Sequence, residues 1–116
     1  MAAAQEIRAF DLFCGGGGSS IGARDAGVHV VGGVDAWPIA TSAFASNQFG
    51  ATAYTSDINE LTPERVVGDL GPIQLLLASP ECTHHSVAKG SKPRSEESKQ
   101  LAFQVVRFAT AIRPRI

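Results

Sequence analysis

Only two cysteines, Cys14 and Cys82, occur in 116 residues, which rules out a disulfide framework and makes a reducing cytosol the default compartment. No apolar run reaches the roughly 18 residues a bilayer span requires, and Met1-Ala2-Ala3-Ala4-Gln5 lacks the pattern of a secretion signal. A membrane is therefore not an expected partner. Internal repeats and low-complexity linkers are also missing. Charged side chains are sparse at 18%, and cations are especially scarce early: residues 1–86 hold Arg8, Arg24 and Arg65 against nine acids. The balance then reverses, with Lys89, Lys92, Arg94, Lys99, Arg107, Arg113 and Arg115 facing Glu96 and Glu97. A net charge of -1 thus hides about -6 in the first segment and +5 in the second. Such segregation suits either a phosphate-contacting surface or a solvated helix face beside a basic loop. The apolar content of 44% is that of an ordinary globular chain, and the length allows one domain at most.

The remaining residues alternate between strand and helix patterns. Ile7 to Phe13 is mostly apolar and runs into Cys14-Gly15-Gly16-Gly17-Gly18, which reads as a strand followed by a tight turn. Ser19 or Ser20 is expected to cap a short helix to about Ala26, stopped by Gly27. A β-branched strand follows from His29 to Val34, then a helix from Pro38 to about Asn47. Ala51–Tyr54 reads as a third strand, and Thr62-Pro63-Glu64 opens a brief helix to about Val67. The continuous apolar run Ile73–Ala78 has the mark of a strand covered on both faces. Residues 79–94 lack periodicity and read as a long loop. Ser95 is expected to start the last helix, whose Leu101, Val105, Phe108, Ala109 and Ile112 recur at helical spacing. Pro114-Arg115-Ile116 resembles the start of another strand. The implied fold is α/β, a partial doubly wound, Rossmann-like parallel sheet of about four strands. Its Ile73–Ala78 strand is expected to lack a neighbour, which would invite association at that edge.

Asp11-Leu12-Phe13-Cys14-Gly15-Gly16-Gly17-Gly18 joins a strand to a helix, the place where nucleotide-like cofactors bind in such sheets. The dinucleotide fingerprint G-x-G-x-x-G fits in no register, since its last position falls on Ser20 or Ile21. A phosphate-binding P-loop fails too, because no Lys-Ser or Lys-Thr pair follows. Asp35 closes the second strand, where a carboxylate can accept hydrogen bonds from ribose hydroxyls. Asp57 follows the third strand and can accept from an adenine amino group. Asp11 lies where a phosphate would be repelled but a sulfonium and an ammonium would be welcome, which points to S-adenosylmethionine. The plainer alternative is a glycine turn in which Asp11 caps backbone donors.

Ser79-Pro80-Glu81-Cys82-Thr83-His84-His85-Ser86 places a thiol just past the fourth strand, on the same rim as the glycine turn. A free thiol has a pKa of about 8.5, and neighbouring histidines or backbone donors favour its thiolate. A thiolate can add to an electron-poor ring carbon such as C6 of cytosine, making C5 nucleophilic enough to take a methyl group. In a duplex the base must first leave the stack. Residue types alone leave three other readings open: a metal site with His84 and His85, a Cys–His hydrolase pair, or an inert thiol.

Taken together, these segments resemble the cytosine-5 DNA methyltransferases over about residues 7–116. Asp11 to Gly18 is similar to that family's first motif, D-x-F-x-G-x-G-G. Ser79 to Ser86 is similar to its nucleophile motif, in which Pro-Cys-Gln is followed by Phe-Ser. The resemblance implies that Phe13, Gly15, Gly16 and Gly18, with Asp11, line the S-adenosylmethionine site. It implies Asp35 for the ribose, Asp57 and Ile58 for the adenine, and further cofactor contacts from Pro80 and Leu101. Cys82 would bond covalently to cytosine, and Ser86 would hold its loop or a DNA phosphate. Lys89, Lys92 and Arg94 would meet double-stranded DNA. No resident metal is implied. The resemblance also implies a bacterial or phage-encoded protein, whether of a restriction–modification system, stand-alone or phage-borne.

The sequence departs from the family pattern at instructive places. Glu81 replaces the proline before the nucleophile and disfavours the thiolate unless His84 or His85 compensates. Thr83 and His85 stand for the usual Gln and Phe, and Ala36 for an aromatic residue, with Trp37 one position along. Glu-Asn-Val does not occur in residues 1–116, and the Arg-x-Arg motif and target recognition domain that follow it in the family are missing too. The expectation is that the chain is the N-terminal portion of an S-adenosylmethionine-binding catalytic domain, inactive alone and needing a C-terminal half or complementary subunit. The competing expectation is a non-catalytic cofactor-binding subunit.

Overall fold

The computed structural model describes residues 6–78 and 92–116, with the side chains of residues 92–99 also left aside. Four parallel strands form one sheet in the order β3-β2-β1-β4, where β1 is Arg8–Asp11, β2 His29–Asp35, β3 Thr52–Thr55 and β4 Leu75–Leu77. The helices are α1 (Gly18–Asp25), α2 (Pro38–Asn47), α3 (Pro63–Leu70) and α4 (Lys92–Ile112), with a single 3-10 turn at Ile58–Glu60.

Alternation along the strands divides the apolar residues between two faces. Phe10, Leu12, Val31, Val34 and Tyr54 pack with Val66 of α3 and Phe108 of α4. Ala9, Cys14 and Val30 pack on the opposite side with Phe44 of α2 and Ala23 of α1. Helices therefore cover both faces, and the architecture is the expected doubly wound α/β sheet. Phe10, Phe44 and Phe108 are sealed from solvent, each burial contributing about 1.5–3 kcal/mol. Phe10 stacks on Phe108 with ring centroids 6.4 Å apart, joining the central strand to the last helix.

Close packing requires glycine within β2. A Cβ on Gly33 would lie 2.8 Å from the Cys14 Cβ and 2.9 Å from the Phe44 ring, so α2 and the turn after β1 can meet only over a bare backbone. One register irregularity falls between Ala9 and Phe10 of β1, whose partners step from Val30 to Gly32.

Several boundaries differ from the sequence expectation. Neither Ser19 nor Ser20 caps α1; its cap is Gly17 in the left-handed conformation (φ 97°), with no side-chain bond. Helix α3 continues to Leu70, where Gly71 (φ 87°) ends it, three residues beyond the expected Val67. Helix α4 begins at Lys92 instead of Ser95. The fourth strand is confined to Leu75–Leu77 and is only half-buried, because it is an outer strand of the sheet.

That outer edge is not bare. The amides of Arg115 and Ile116 donate to the Gln74 carbonyl at 2.8 and 3.0 Å, and the Leu76 amide donates to the Ile116 carbonyl at 3.2 Å. Gln74 also holds β1: its amide donates to the Arg8 carbonyl (2.9 Å) and its Oε1 accepts from the Arg8 amide (2.8 Å). The strand-like Pro114-Arg115-Ile116 segment thus supplies backbone partners where an open edge was expected.

Candidate active site at the carboxyl rim of the sheet

Strand order reverses at β1: β2 and β3 extend the sheet to one side, β4 to the other. In open α/β sheets the crevice beyond the carboxyl ends at such a reversal is where ligands bind. The Leu12 amide donates to the Leu77 carbonyl at 2.8 Å, so the ends of β1 and β4 leave the sheet side by side.

The turn after β1 is built by a few directed bonds. The Gly17 amide donates to the Cys14 carbonyl (2.7 Å), closing the turn, and the Cys14 amide donates to the Val34 carbonyl (3.0 Å). Gly15 carries φ 49° and its amide donates to Asp35 Oδ2 at 3.0 Å. Asn47, at the end of α2, donates from Nδ2 to the Gly16 carbonyl at 3.0 Å. Built Cβ atoms at Gly15, Gly16 and Gly18 meet nothing within 4 Å among the described residues, which leave this side of the turn open. No lysine lies in the turn, and Asp35 adjoins it, a donor set suited to a cationic ligand with hydroxyls and unsuited to a polyphosphate.

Asp11 differs from the sequence expectation. Its side chain is sealed from solvent, with Oδ2 accepting from the Ser20 hydroxyl (2.8 Å) and Oδ1 from the Phe13 amide (3.3 Å). Burial raises its pKa above the ordinary 3.8, Asp35 raises it further, and the Ser20 and Phe13 bonds oppose the shift. Asp11 therefore braces the turn from inside. Its charge can reach a ligand through a low-dielectric interior, but its oxygens are not at the surface. The Cys14 thiol is likewise buried and its pKa is pushed up to about 12, by desolvation first and then by Asp11 and Asp35. It is a packing residue, not a nucleophile.

Asp35, at the end of β2, is half-buried and divides its oxygens between the Gly15 amide and the Trp37 amide (2.9 Å). Trp37 is 60% exposed beside it, and Ala36 is exposed as well. Asp57 is exposed after β3, where Oδ1 accepts from the Asn59 amide (2.8 Å) and from Asn59 Nδ2 (2.9 Å). Ile58 belongs to the buried core, and Phe13 and Leu101 are half-buried. The structure thus gathers Phe13, Gly15, Gly16, Gly18 and Asp35 around one turn, with Asp57 at the same end of the neighbouring β3. Pro80, Cys82, Ser86 and Lys89 lie outside the described residues. Lys92 and Arg94 begin α4, and their side chains lie outside the described set.

Sequence reasoning missed Ser20, Asn47, Asn59, Gln104 and Arg107. Ser20, Asn47, Gln104 and Arg107 each have a partner 9 to 49 residues away that no local pattern announces, whereas Asn59 also meets Asp57 two residues before it. Arg107 and Gln104 of α4 reach the Ile58–Leu61 region beside an open cleft of about 430 Å³ lined by Asn59, Gln100, Phe103 and Gln104.

A parallel doubly wound sheet with a glycine turn after β1 and acids after β2 and β3 defines the Rossmann-like class of α/β proteins. Within that class the family is shown by sequence: the model of C-5 cytosine-specific DNA methylases matches residues 7–116, and the chain belongs to that family. It is 27% identical over 124 residues to DNA (cytosine-5)-methyltransferase 1 of Mus musculus, which covers 95% of this chain and 8% of the mouse protein. The Type II methyltransferase M.AgeI of Thalassovita gelatinovora is 26% identical, covering 94% of this chain and 26% of that protein. A prophage-encoded DNA modification methyltransferase of E. coli superposes with a TM-score of 0.76 at 27% identity, over 94% of this chain and 30% of that one. The chain thus spans less than a third of the length of each of these relatives.

Proposed function

We propose that this chain supplies the cofactor-binding and nucleophile-bearing part of a DNA (cytosine-5)-methyltransferase. The observation that carries the reading is the open-faced glycine turn braced by Asp11 and Asp35, beside the strand that leads to Cys82, in a chain whose family match runs over residues 7–116. The relatives are named as cytosine-5 and DNA modification methyltransferases, which favours double-stranded DNA as substrate and a restriction–modification or phage setting.

S-adenosylmethionine would supply an electrophilic methyl group when bound. Phe13, Gly15, Gly16 and Gly18 would receive it on the open side of the turn, Asp35 would accept from its ribose, and Asp57 with Ile58 would hold the adenine. Pro80 and Leu101 would close against it. The buried charge of Asp11 favours a cation in the turn while repelling phosphate. Cys82 would add as thiolate to C6 of a flipped cytosine, and after C5 has gained the methyl and lost its proton, the sulfur would leave with its bonding pair. Ser86, Lys89, Lys92 and Arg94 would meet the DNA backbone. Residues 1–116 contain no Glu-Asn-Val segment to hold N3 of the base, so the chain alone is expected to transfer no methyl groups at a useful rate.

The test combines the chain with a polypeptide providing the remaining family motifs, a duplex containing 5-fluorocytosine, and S-adenosylmethionine. A denaturation-resistant protein–DNA adduct is expected for the wild type and not for Cys82→Ser. An adduct that survives the substitution would remove Cys82 from its role. Glu81, which places a negative charge next to the thiol, favours a second reading as a non-catalytic cofactor-binding subunit of a split enzyme. Calorimetric binding of the cofactor without adduct formation in the complemented assembly would select it.

A further inference from the structure

The third acid of the rim is oriented by a chain of side chains that begins on α4. Arg107 Nη2 donates to the carbonyls of Ile58 (2.7 Å) and Leu61 (3.0 Å), gripping both ends of the 3-10 turn. Its Nε donates to Gln104 Oε1 at 2.7 Å. Gln104 Nε2 in turn donates to Asn59 Oδ1, and Asn59 Nδ2 donates to Asp57 Oδ1 at 2.9 Å. Arginine has only donors, so the first link fixes which end of the Gln104 amide faces it. That choice fixes the Asn59 amide, which can then only donate to Asp57. Gln104 lines the open cleft yet is only 6% exposed.

We propose that Arg107, Gln104 and Asn59 form a hydrogen-bond relay that holds Asp57 in the orientation that selects a 6-amino purine. The inference rests on the reading of Asp57 as the adenine contact and adds to it the residues that set its selectivity. With Oδ1 occupied by two donors from Asn59, Oδ2 has no partner among the described residues and presents an acceptor to the ligand. An acceptor pairs with an exocyclic amino group and repels a 6-oxo group. Arg107 and Gln104 are positioning residues: they act through Asn59 and touch no ligand themselves.

The decisive substitution is Gln104→Glu, which preserves shape and still accepts from Arg107 but has no donor for Asn59. The Asn59 side-chain amide must then turn its oxygen away from position 104, leaving Asp57 Oδ1 held by the Asn59 backbone amide alone. Calorimetry on the full chain would compare S-adenosylhomocysteine with its 6-oxo counterpart, S-inosylhomocysteine. The wild type is expected to prefer the amino ligand, and Gln104→Glu and Arg107→Met to reduce that preference about tenfold, the effect of about one misdirected hydrogen bond. Arg107→Lys, which keeps a cationic donor at the carbonyls, is expected to retain part of it. A purely structural role would weaken both ligands equally and leave the ratio unchanged. Where Gln104→Glu loses its cooperative melt, Gln104→Ala is read instead, since its missing atoms open onto the cleft and not into a sealed void. A preference that is abolished by Asp57→Asn but intact in the Gln104 and Arg107 variants overturns the relay alone. A wild type with no preference, or one indifferent to Asp57→Asn, overturns the adenine assignment and the relay together.

Discussion

Glycine serves opposite purposes in β2 and in the turn after β1. Within β2, Gly33 is buried, and its missing side chain lets Cys14, Phe44 and the Asp11 carbonyl crowd the strand. In the turn after β1, Gly16 is exposed and its missing side chain leaves a space that no described residue fills. The first glycine is required by the fold, the second by something outside it. The contrast teaches that a glycine-rich motif has to be divided residue by residue into packing and reception.

Substitutions can sharpen or break this division. Gly33→Ala is expected to have the largest effect, destabilising the chain by about 3 kcal/mol in denaturant melts, because backbone as well as side-chain atoms surround the added methyl. Gly17→Ala comes next, at about 1–2 kcal/mol, since the added Cβ must adopt φ 97° and touches Phe44 at 3.4 Å. Asp11→Asn follows: its amide can donate to Ser20 and accept from Phe13 without a buried charge. Because the folded pKa of Asp11 is raised, the native state binds more protons than the unfolded one between the ordinary 3.8 and that raised value. Stability therefore falls as pH rises through this window and then levels off. Pairing melts at acid and neutral pH should show a flatter profile in Asp11→Asn, with a gain in stability at neutral pH. Its affinity for a sulfonium cofactor should drop if the buried charge helps hold the cation. Gly16→Ala is expected to change stability least, by less than about 0.5 kcal/mol, while weakening cofactor binding in calorimetry. A large loss of stability in Gly16→Ala, or none in Gly33→Ala, would break the distinction.

Much of the architecture was legible because it depends on local chemistry. Pro38 begins α2 and Asn47 ends it as read, and Thr62 caps α3 by accepting from the Arg65 amide at 3.1 Å. Alternating strand and helix patterns sufficed for the parallel sheet. A serine after glycines is a good helix cap by type, yet Ser20 is buried to satisfy Asp11. The start of α4 was placed late because Lys-Pro-Arg looks like loop sequence, although proline is tolerated in a first turn. At the candidate site the acids were visible from their positions after strands. Their orientation was not, since it depends on Gly15 for Asp35, Ser20 for Asp11 and, through Asn59, Gln104 for Asp57, contacts made only once the sheet has formed.

Gln74 offers a last consequence from the opposite end of the sheet. By bonding Arg8 twice and taking both terminal amides, it sets the stagger of β4 against β1. A slip of one residue there would displace the upper end of β4 by about 3.3 Å and turn Leu75, Leu76 and Leu77 over to the wrong layers. The height at which the chain emerges toward residue 82 is thus gauged from below, by a side-chain amide and a handful of main-chain atoms remote from any ligand. Hydrogen exchange at Leu76 and Ile116 would report whether that gauge holds, and Gln74→Ala would show how far its loosening is felt at the opposite end.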